Sequence, residues 1–164
     1  MATKKKPAKK AVKKAAVKKT SKTRSNRSSK KQVTLDIPSL FRLNLEVGNL
    51  DQAAEFYGRL FGLEGRKQAG SRCYFNCGGV TLQVVDVSAA RKPHPAAKAL
   101  YFLVENLDAV FERAKGLNCL TTDDVHGVSG GAISVRPWGE RSFYAVDAWE
   151  NPLCFVEAGT VYPG

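Results

Sequence analysis

The sequence predicts an α+β domain built from two βαβββ units in tandem, with two helices on mostly antiparallel sheet. Three observations predict it. The pattern V-x-N-L-D-x-x-x-E occurs twice, at Val47–Glu55 and Val104–Glu112, an offset of 57 residues. Each copy follows an alternating apolar run, Phe41-Arg-Leu-Asn-Leu-Glu-Val47 and Leu100-Tyr-Phe-Leu-Val104, as a half-buried strand requires. Each copy then runs into apolar residues at helical spacing and ends in Gly-Leu.

The elements follow in order. Asn49 and Asn106 suit the N-cap, where a side-chain oxygen accepts from an orphan amide of the first turn. Gln52 completes a capping-box pattern with Asn49. Asp51 and Asp108 place negative charge at the positive end of each helix dipole. Leu50, Ala53, Ala54, Tyr57, Leu60 and Phe61 form one apolar stripe, and Leu107, Val110, Phe111 and Ala114 form the other. Gly62 and Gly116 fit the left-handed position that ends a helix. Strands are expected at Leu63–Gln68, Arg72–Cys77 and Val80–Val85, then at Cys119–Thr122, Arg141–Asp147 and Leu153–Glu157. Ala132–Val135 reads as a short extra strand. The units span 38–86 and 98–158, joined by a Pro- and Lys-rich linker at 87–97.

Charge divides the chain in two. Residues 1–31 hold twelve Lys, two Arg and no acid, leaving 12 basic against 15 acidic residues in the remainder. A segment so poor in apolar side chains cannot offset its ordering entropy, so residues 1–35 are expected to be a disordered tail before a domain at 36–164. Its composition resembles the Lys/Ala/Pro-rich arms of histone-like proteins. It has two readings: a solvated, solubilising block, or a nucleic-acid contact through Lys4–Lys31 that neutralises phosphates. Met1 is the only methionine, and Val33 is the place a non-ATG start could hide. The tail lacks the apolar core of a secretory signal, and no run is long enough to span a membrane. The expected compartment is therefore cytoplasmic, with a nucleoid or nuclear address if the tail binds nucleic acid. Four cysteines in such a setting read as free thiols. Cys73 and Cys77, on one extended strand, would lie about 13 Å apart, too far to share a zinc ion.

Several short motifs, in this order and spacing, resemble the vicinal oxygen chelate superfamily of glyoxalases, bleomycin-resistance proteins and extradiol dioxygenases. They are Leu45-Glu-Val-Gly-Asn-Leu-Asp51, Phe56-Tyr57 with Leu60-Phe61-Gly62-Leu63, Pro137-Trp-Gly139, Arg141-Ser-Phe-Tyr144, Asp147, and Asn151-Pro152. Together they span residues 40–158. The resemblance implies a half-open barrel around a cavity, and homodimers with shared cavities. It also implies metal ligands on the first and last strands of each unit. Those positions map onto Arg42, Gln83, Ala99 and Cys154. Arginine keeps its proton and has no lone pair to offer, and alanine has no donor. One amide and one thiol remain, so the expectation is a cavity with no metal or other cofactor. The turn Asp147-Ala-Trp-Glu-Asn151 also lacks the family's usual Pro and Gly.

Alternation places the side chains that would line that cavity. Phe41, Leu43, Leu45 and Val47 should pack under the helices, leaving Arg42, Asn44 and Glu46 on the other face. Ala99, Tyr101, Leu103, Thr81, Gln83, Cys154 and Val156 are expected to join them. Arg42 is either a bidentate anchor for carboxylate or phosphate, or a filler paired with Glu46 or another acid. Tyr101 is either a hydrogen-bond donor to a ligand or core with a satisfied hydroxyl. Trp138 is either an indole cover over a ligand or an edge-strand aromatic, and Arg141 follows it at the rim. Cys154 becomes a nucleophile only if a cation lowers its pKa; otherwise it is an inert buried thiol. His94 and His126 sit in polar loops, match no ligand position, and are assigned no catalytic role. The candidate ligand-binding residues are thus Arg42, Asn44, Gln83, Tyr101, Trp138, Arg141 and Cys154, with no catalytic residue assigned. The functional expectation is a small anionic or aromatic molecule bound in a metal-free cavity. Two alternatives stand beside it: a metal-dependent glyoxalase- or dioxygenase-type enzyme with relocated ligands, and a nucleic-acid-associated protein acting through the tail.

Overall fold

The computed structural model describes residues 40–162, so the basic tail lies outside the described residues. The first unit is β1 (Arg42–Val47), α1 (Leu50–Phe61), β2 (Arg66–Gln68), β3 (Arg72–Cys77) and β4 (Val80–Asp86). The second is β5 (Leu100–Val104), α2 (Leu107–Gly116), the short strands β6 (Asp124–Val125), β7 (Val128–Ser129) and β8 (Ser134–Val135), then β9 (Arg141–Val146) and β10 (Pro152–Glu157). The fold is α+β, two βαβββ units forming a half-open barrel.

Two four-stranded sheets carry it, ordered β1-β4-β3-β2 and β5-β10-β9-β8. In each, the strand before the helix pairs in parallel with the last strand of its unit, Arg42 opposite Thr81 and Leu100 opposite Leu153. The remaining pairs are antiparallel. β1 and β5 are therefore edge strands, and neither sheet closes on the other.

The caps form as the sequence requires. Asn49 Oδ1 accepts from the Gln52 amide at 3.0 Å, and Asn106 Oδ1 from the Ala109 amide at 2.9 Å. Gly62 ends α1 at φ 68°, a left-handed conformation that costs glycine nothing. The second helix ends differently. Gly116 stays inside α2, Leu117 caps it in a right-handed conformation, and Asn118 takes the left-handed one at φ 52°. Asparagine tolerates that region because its short amide can bond locally.

Strand boundaries also shift. Leu63–Gly65 does not pair, so β2 starts at Arg66. The expected strand at Cys119–Thr122 reduces to a single bridge from Leu120 to Ala145. The outer place in that sheet goes instead to β8, the short element expected at Ala132–Val135. Between them β6 and β7 form a hairpin whose two turn residues, His126 and Gly127, both have positive φ, as a tight two-residue loop demands. Gly131 sits so close to Thr121 that a Cβ there would lie 2.1 Å from its carbonyl oxygen.

One core serves both units. The helix-facing sides of both sheets, with Leu45, Val47, Leu82 and Val84 from the first and Phe143, Ala145, Leu153 and Phe155 from the second, merge around Tyr57 and Leu60 of α1 and Val110 of α2. Phe61 joins the halves directly, with its ring 5.0 Å from Phe102 and 5.8 Å from Phe75. A buried polar knot does the same. The Tyr57 hydroxyl donates to Asp147 Oδ2 at 2.6 Å, and the Asn151 amide donates to Asp147 and to the Glu46 carbonyl. Phe41 is the exception to the apolar face of β1: it precedes the strand at its open edge and is 65% exposed.

Candidate functional site

On the first sheet, alternation turns Arg42, Asn44, Thr81, Gln83, Tyr74 and Arg72 away from the core. Arg42 and Asn44 are exposed and Gln83 is buried. Register then puts Asn44, Gln83, Tyr74 and Arg66 in one row across all four strands. The Arg42 guanidinium donates to the neutral Gln83 Oε1 at 3.3 Å and lies 5.3 Å from the centre of the Tyr74 ring. Arg66, from the opposite edge strand, lies 5.8 Å from the same ring. The Tyr74 hydroxyl donates to Gln68 Oε1 at 2.7 Å. Two like charges from opposite edges of one sheet thus converge on one tyrosine.

The one acid of β1 does not balance them. Glu46 is held by Arg91 of the linker in a two-pronged pair, and the His94 amide also donates to it. These partners lower the Glu46 carboxyl from its ordinary 4.5 to about 2. Glu46 is therefore not the partner of Arg42. Among the described residues, none of Arg42, Arg66 and Arg72 forms an ion pair.

The rest of the expected site lies on the second sheet. Tyr101 is 59% exposed, and its hydroxyl shares a hydrogen bond of 3.0 Å with that of Tyr144. Cys154 pairs in register with both tyrosines and is buried. Burial outweighs the help of Tyr144 and Arg136 and pushes its thiol up to about 11, so it is a thiol and not a nucleophilic thiolate at neutral pH. Tyr144 is driven well above the ordinary 10, chiefly by burial. No hydrogen bond among the described residues joins this group to Arg42 or Gln83. The single lining set expected from the sequence is in this chain two sets, on two sheets that do not pair.

Two further candidates take other roles. Arg141 shares the face of β9 with Phe143 and Ala145, and its guanidinium bonds Glu157 at 2.6 Å and Asp108 at 2.9 Å. It ties the start of α2 to the sheet and does not face the side of Tyr144 and Cys154. Trp138 donates its indole N–H to Glu140 at 2.7 Å and stands edge-on to His126, 4.7 Å away. It packs with the β6–β7 hairpin.

Sequence reasoning missed Tyr74, Arg66 and Arg72, although the alternation of Arg72-Cys-Tyr-Phe-Asn-Cys77 carries the signal: Cys73 and Phe75 are buried and their neighbours turn out. It also missed Arg136, which is 2% exposed. That guanidinium donates to the Ser142 hydroxyl, the Ser142 carbonyl and the Val125 carbonyl, and lies 5.1 Å from the Tyr144 ring. It fastens the inserted hairpin to the sheet.

An apolar cleft of about 690 Å³ opens between the halves, walled by Leu43, Phe61, Leu82, Phe102, Val110 and Phe155. Of the candidate ligand-binding residues only Tyr101 reaches it, beside Leu103 of the expected lining.

The four positions implied for a metal do not form a donor set. Arg42 and Gln83 bond to each other on one sheet; Ala99 and the Cys154 thiol belong to the other half. Among the described residues, no group of three or more His, Cys, Asp or Glu is arranged to hold a metal ion. No described helix is long and apolar enough to cross a membrane.

The motif order, the paired βαβββ units and the two open sheets define a family, and the chain belongs to the glyoxalase/bleomycin resistance protein/dioxygenase superfamily, whose model matches residues 39–143. A search of curated proteins found no match. Among solved structures the chain is similar to oxidase ChaP-H2, at 22% identity and a TM-score of 0.62, covering 77% of this chain and 98% of that one. It is similar to a lactoylglutathione lyase from Agrobacterium tumefaciens, at 23% identity and a TM-score of 0.56, covering 79% and 99%. It is also similar to the bleomycin resistance determinant encoded on transposon Tn5, at 16% identity and a TM-score of 0.57, covering 74% and 99%. At such identities the likeness is one of fold.

Proposed function

We propose that this protein binds a small anionic molecule on the open face of its first sheet, with no metal ion as intermediary. One observation carries the reading. Arg42 is exposed, and among the described residues the only polar partner of its guanidinium is the neutral Gln83, beside a tyrosine that a second guanidinium also approaches. Two cations close to one ring repel each other, and an anion between them relieves that repulsion. Asn44 and Gln83 add neutral donors in the same row. Arginine suits the task because its planar fork meets a carboxylate through two parallel bonds.

Calorimetric titration with a panel of small aliphatic and aromatic acids tests this. At least one acid is expected to bind protein stripped of metal, and Arg42→Ala is expected to weaken it about tenfold or more, the loss of a charge-assisted hydrogen bond of about 1.5–3 kcal/mol. Binding that appears only after adding a divalent metal, or that ignores Arg42→Ala, overturns the reading and returns the protein to the metal-dependent members of its family.

A further inference from the structure

We infer that the open face of the first sheet is a nucleic-acid contact, on which Arg42, Arg66 and Arg72 neutralise backbone phosphates. The inference rests on the reading that this face takes anions, and it names a polymeric partner for it.

The first argument is the number of cations on the face. Arg42 stands on one edge strand, Arg66 on the other, and Arg72 on the strand between β2 and β4. Arg42 and Arg66 close on the Tyr74 ring and Arg72 adds a third charge, more than one small carboxylate neutralises. A duplex carries one phosphate every ~3.4 Å along each strand, so a polymer can meet all three at once. The second argument is what the face lacks. All three arginines are exposed and without ion pairs among the described residues, and the one acid on β1 is committed to Arg91. The face also carries Asn44, Asn76, Thr81 and Gln83, neutral groups of the kind that bond phosphate and sugar oxygens, with Tyr74 and Val85 among them. This patch belongs to a part of the chain that otherwise carries more acid than base, so its basicity is local. The third argument is connectivity. Nine residues separate the segment with twelve Lys, two Arg and no acid from Phe41, and Phe41 leads directly into β1. The two cationic regions are thus near neighbours in the sequence.

The test uses the full chain and fluorescein-labelled 20-nucleotide DNA, single-stranded and duplex, followed by anisotropy from 50 to 300 mM salt. The probe variant carries Arg42→Ala, Arg66→Ala and Arg72→Ala together, with its fold checked by circular dichroism and thermal melting. Its affinity at 100 mM salt is expected to fall about tenfold or more. Its slope of log affinity against log salt should flatten by about 2–3, from roughly 0.9 per duplex phosphate no longer neutralised. The same three positions changed to Lys keep the charge and should keep most of the slope, which separates phosphate neutralisation from damage to the sheet. A triple Ala variant that folds and binds like the parent overturns the inference and leaves the tail as the sole contact. Small acids that bind through Arg42 while DNA does not respond to the triple variant overturn it too, with the small-anion reading intact. No binding of either kind overturns both.

Discussion

At the scale of single residues, the most consequential contact is the one no short motif announced. Asp147 lies buried between the halves and accepts from the Tyr57 hydroxyl, the Asn151 side chain, and the backbone amides of Trp149 and Asn151. A buried carboxylate is stable only when its lone pairs are satisfied. Tyr57→Phe removes one donor and leaves the packing, so it should destabilise the protein by about 1–3 kcal/mol. Urea unfolding measures this, with an unchanged m-value if only the hydrogen bond is lost. Asp147 itself was legible in the sequence as part of a turn. Its partner Tyr57, 90 residues away, was legible as an apolar stripe residue and a motif residue but not as its partner, because a tyrosine at helical spacing gives no sign of where its hydroxyl points.

At the scale of elements, the linker is more than a connector. Arg91 and the His94 amide clamp Glu46 at the end of β1, and the Ala96 amide donates to Asn151 Oδ1. The carboxyl of Glu46 titrates at about 2 when folded, against an ordinary 4.5. A depressed folded value means the clamp's contribution is fully present above pH 4.5 and is lost as pH falls towards 2. Stability measured by thermal melting should therefore fall over that window in the parent. In Glu46→Gln the part of the fall due to this group should be missing, with the variant less stable than the parent at pH 7. The caps of both helices were plain in the sequence because they are local. The end of α2 was not: the choice between Gly116 and Asn118 for the left-handed residue depends on where Cys119 must start its return to the sheet, where its carbonyl accepts from the Val146 amide. The strand expected at Cys119–Thr122 failed for a related reason. Its alternation was real, but the inserted hairpin and β8 took the edge it would have used.

At the scale of the whole molecule, the edge strands β1 and β5 carry exposed apolar residues in or beside them: Leu40 and Phe41 at β1, Tyr101 and Leu103 on β5. Edges with such side chains invite pairing or packing with another chain. We therefore expect a dimer in solution, as the resemblance implied. Sedimentation velocity should show a concentration-dependent shift, and Leu103→Lys should move the protein towards monomer without lowering its melting temperature by more than the lost contact explains. A monomer at all concentrations would show that these strands are covered in some other way.

Taken by itself, the sequence determined the two units, their helices and caps, and the faces of the strands, because each depends on residues within a few positions of one another. It determined that Arg42 and Asn44 share a face, because alternation is a short-range consequence of the pleat, whereas Gln83 was placed beside them through the family resemblance and the pairing of β1 with β4 puts it there. The tertiary structure alone decided that Tyr101 and Cys154 lie on a separate sheet, that Arg141 serves Asp108 and Glu157, and that Arg66 reaches the same tyrosine as Arg42 from the far edge. Those outcomes are set by how two similar units share one core and by which strands end up as edges. Contacts across the sheet and between the units arise from pairing distant segments, and no local pattern encodes which distant segment arrives.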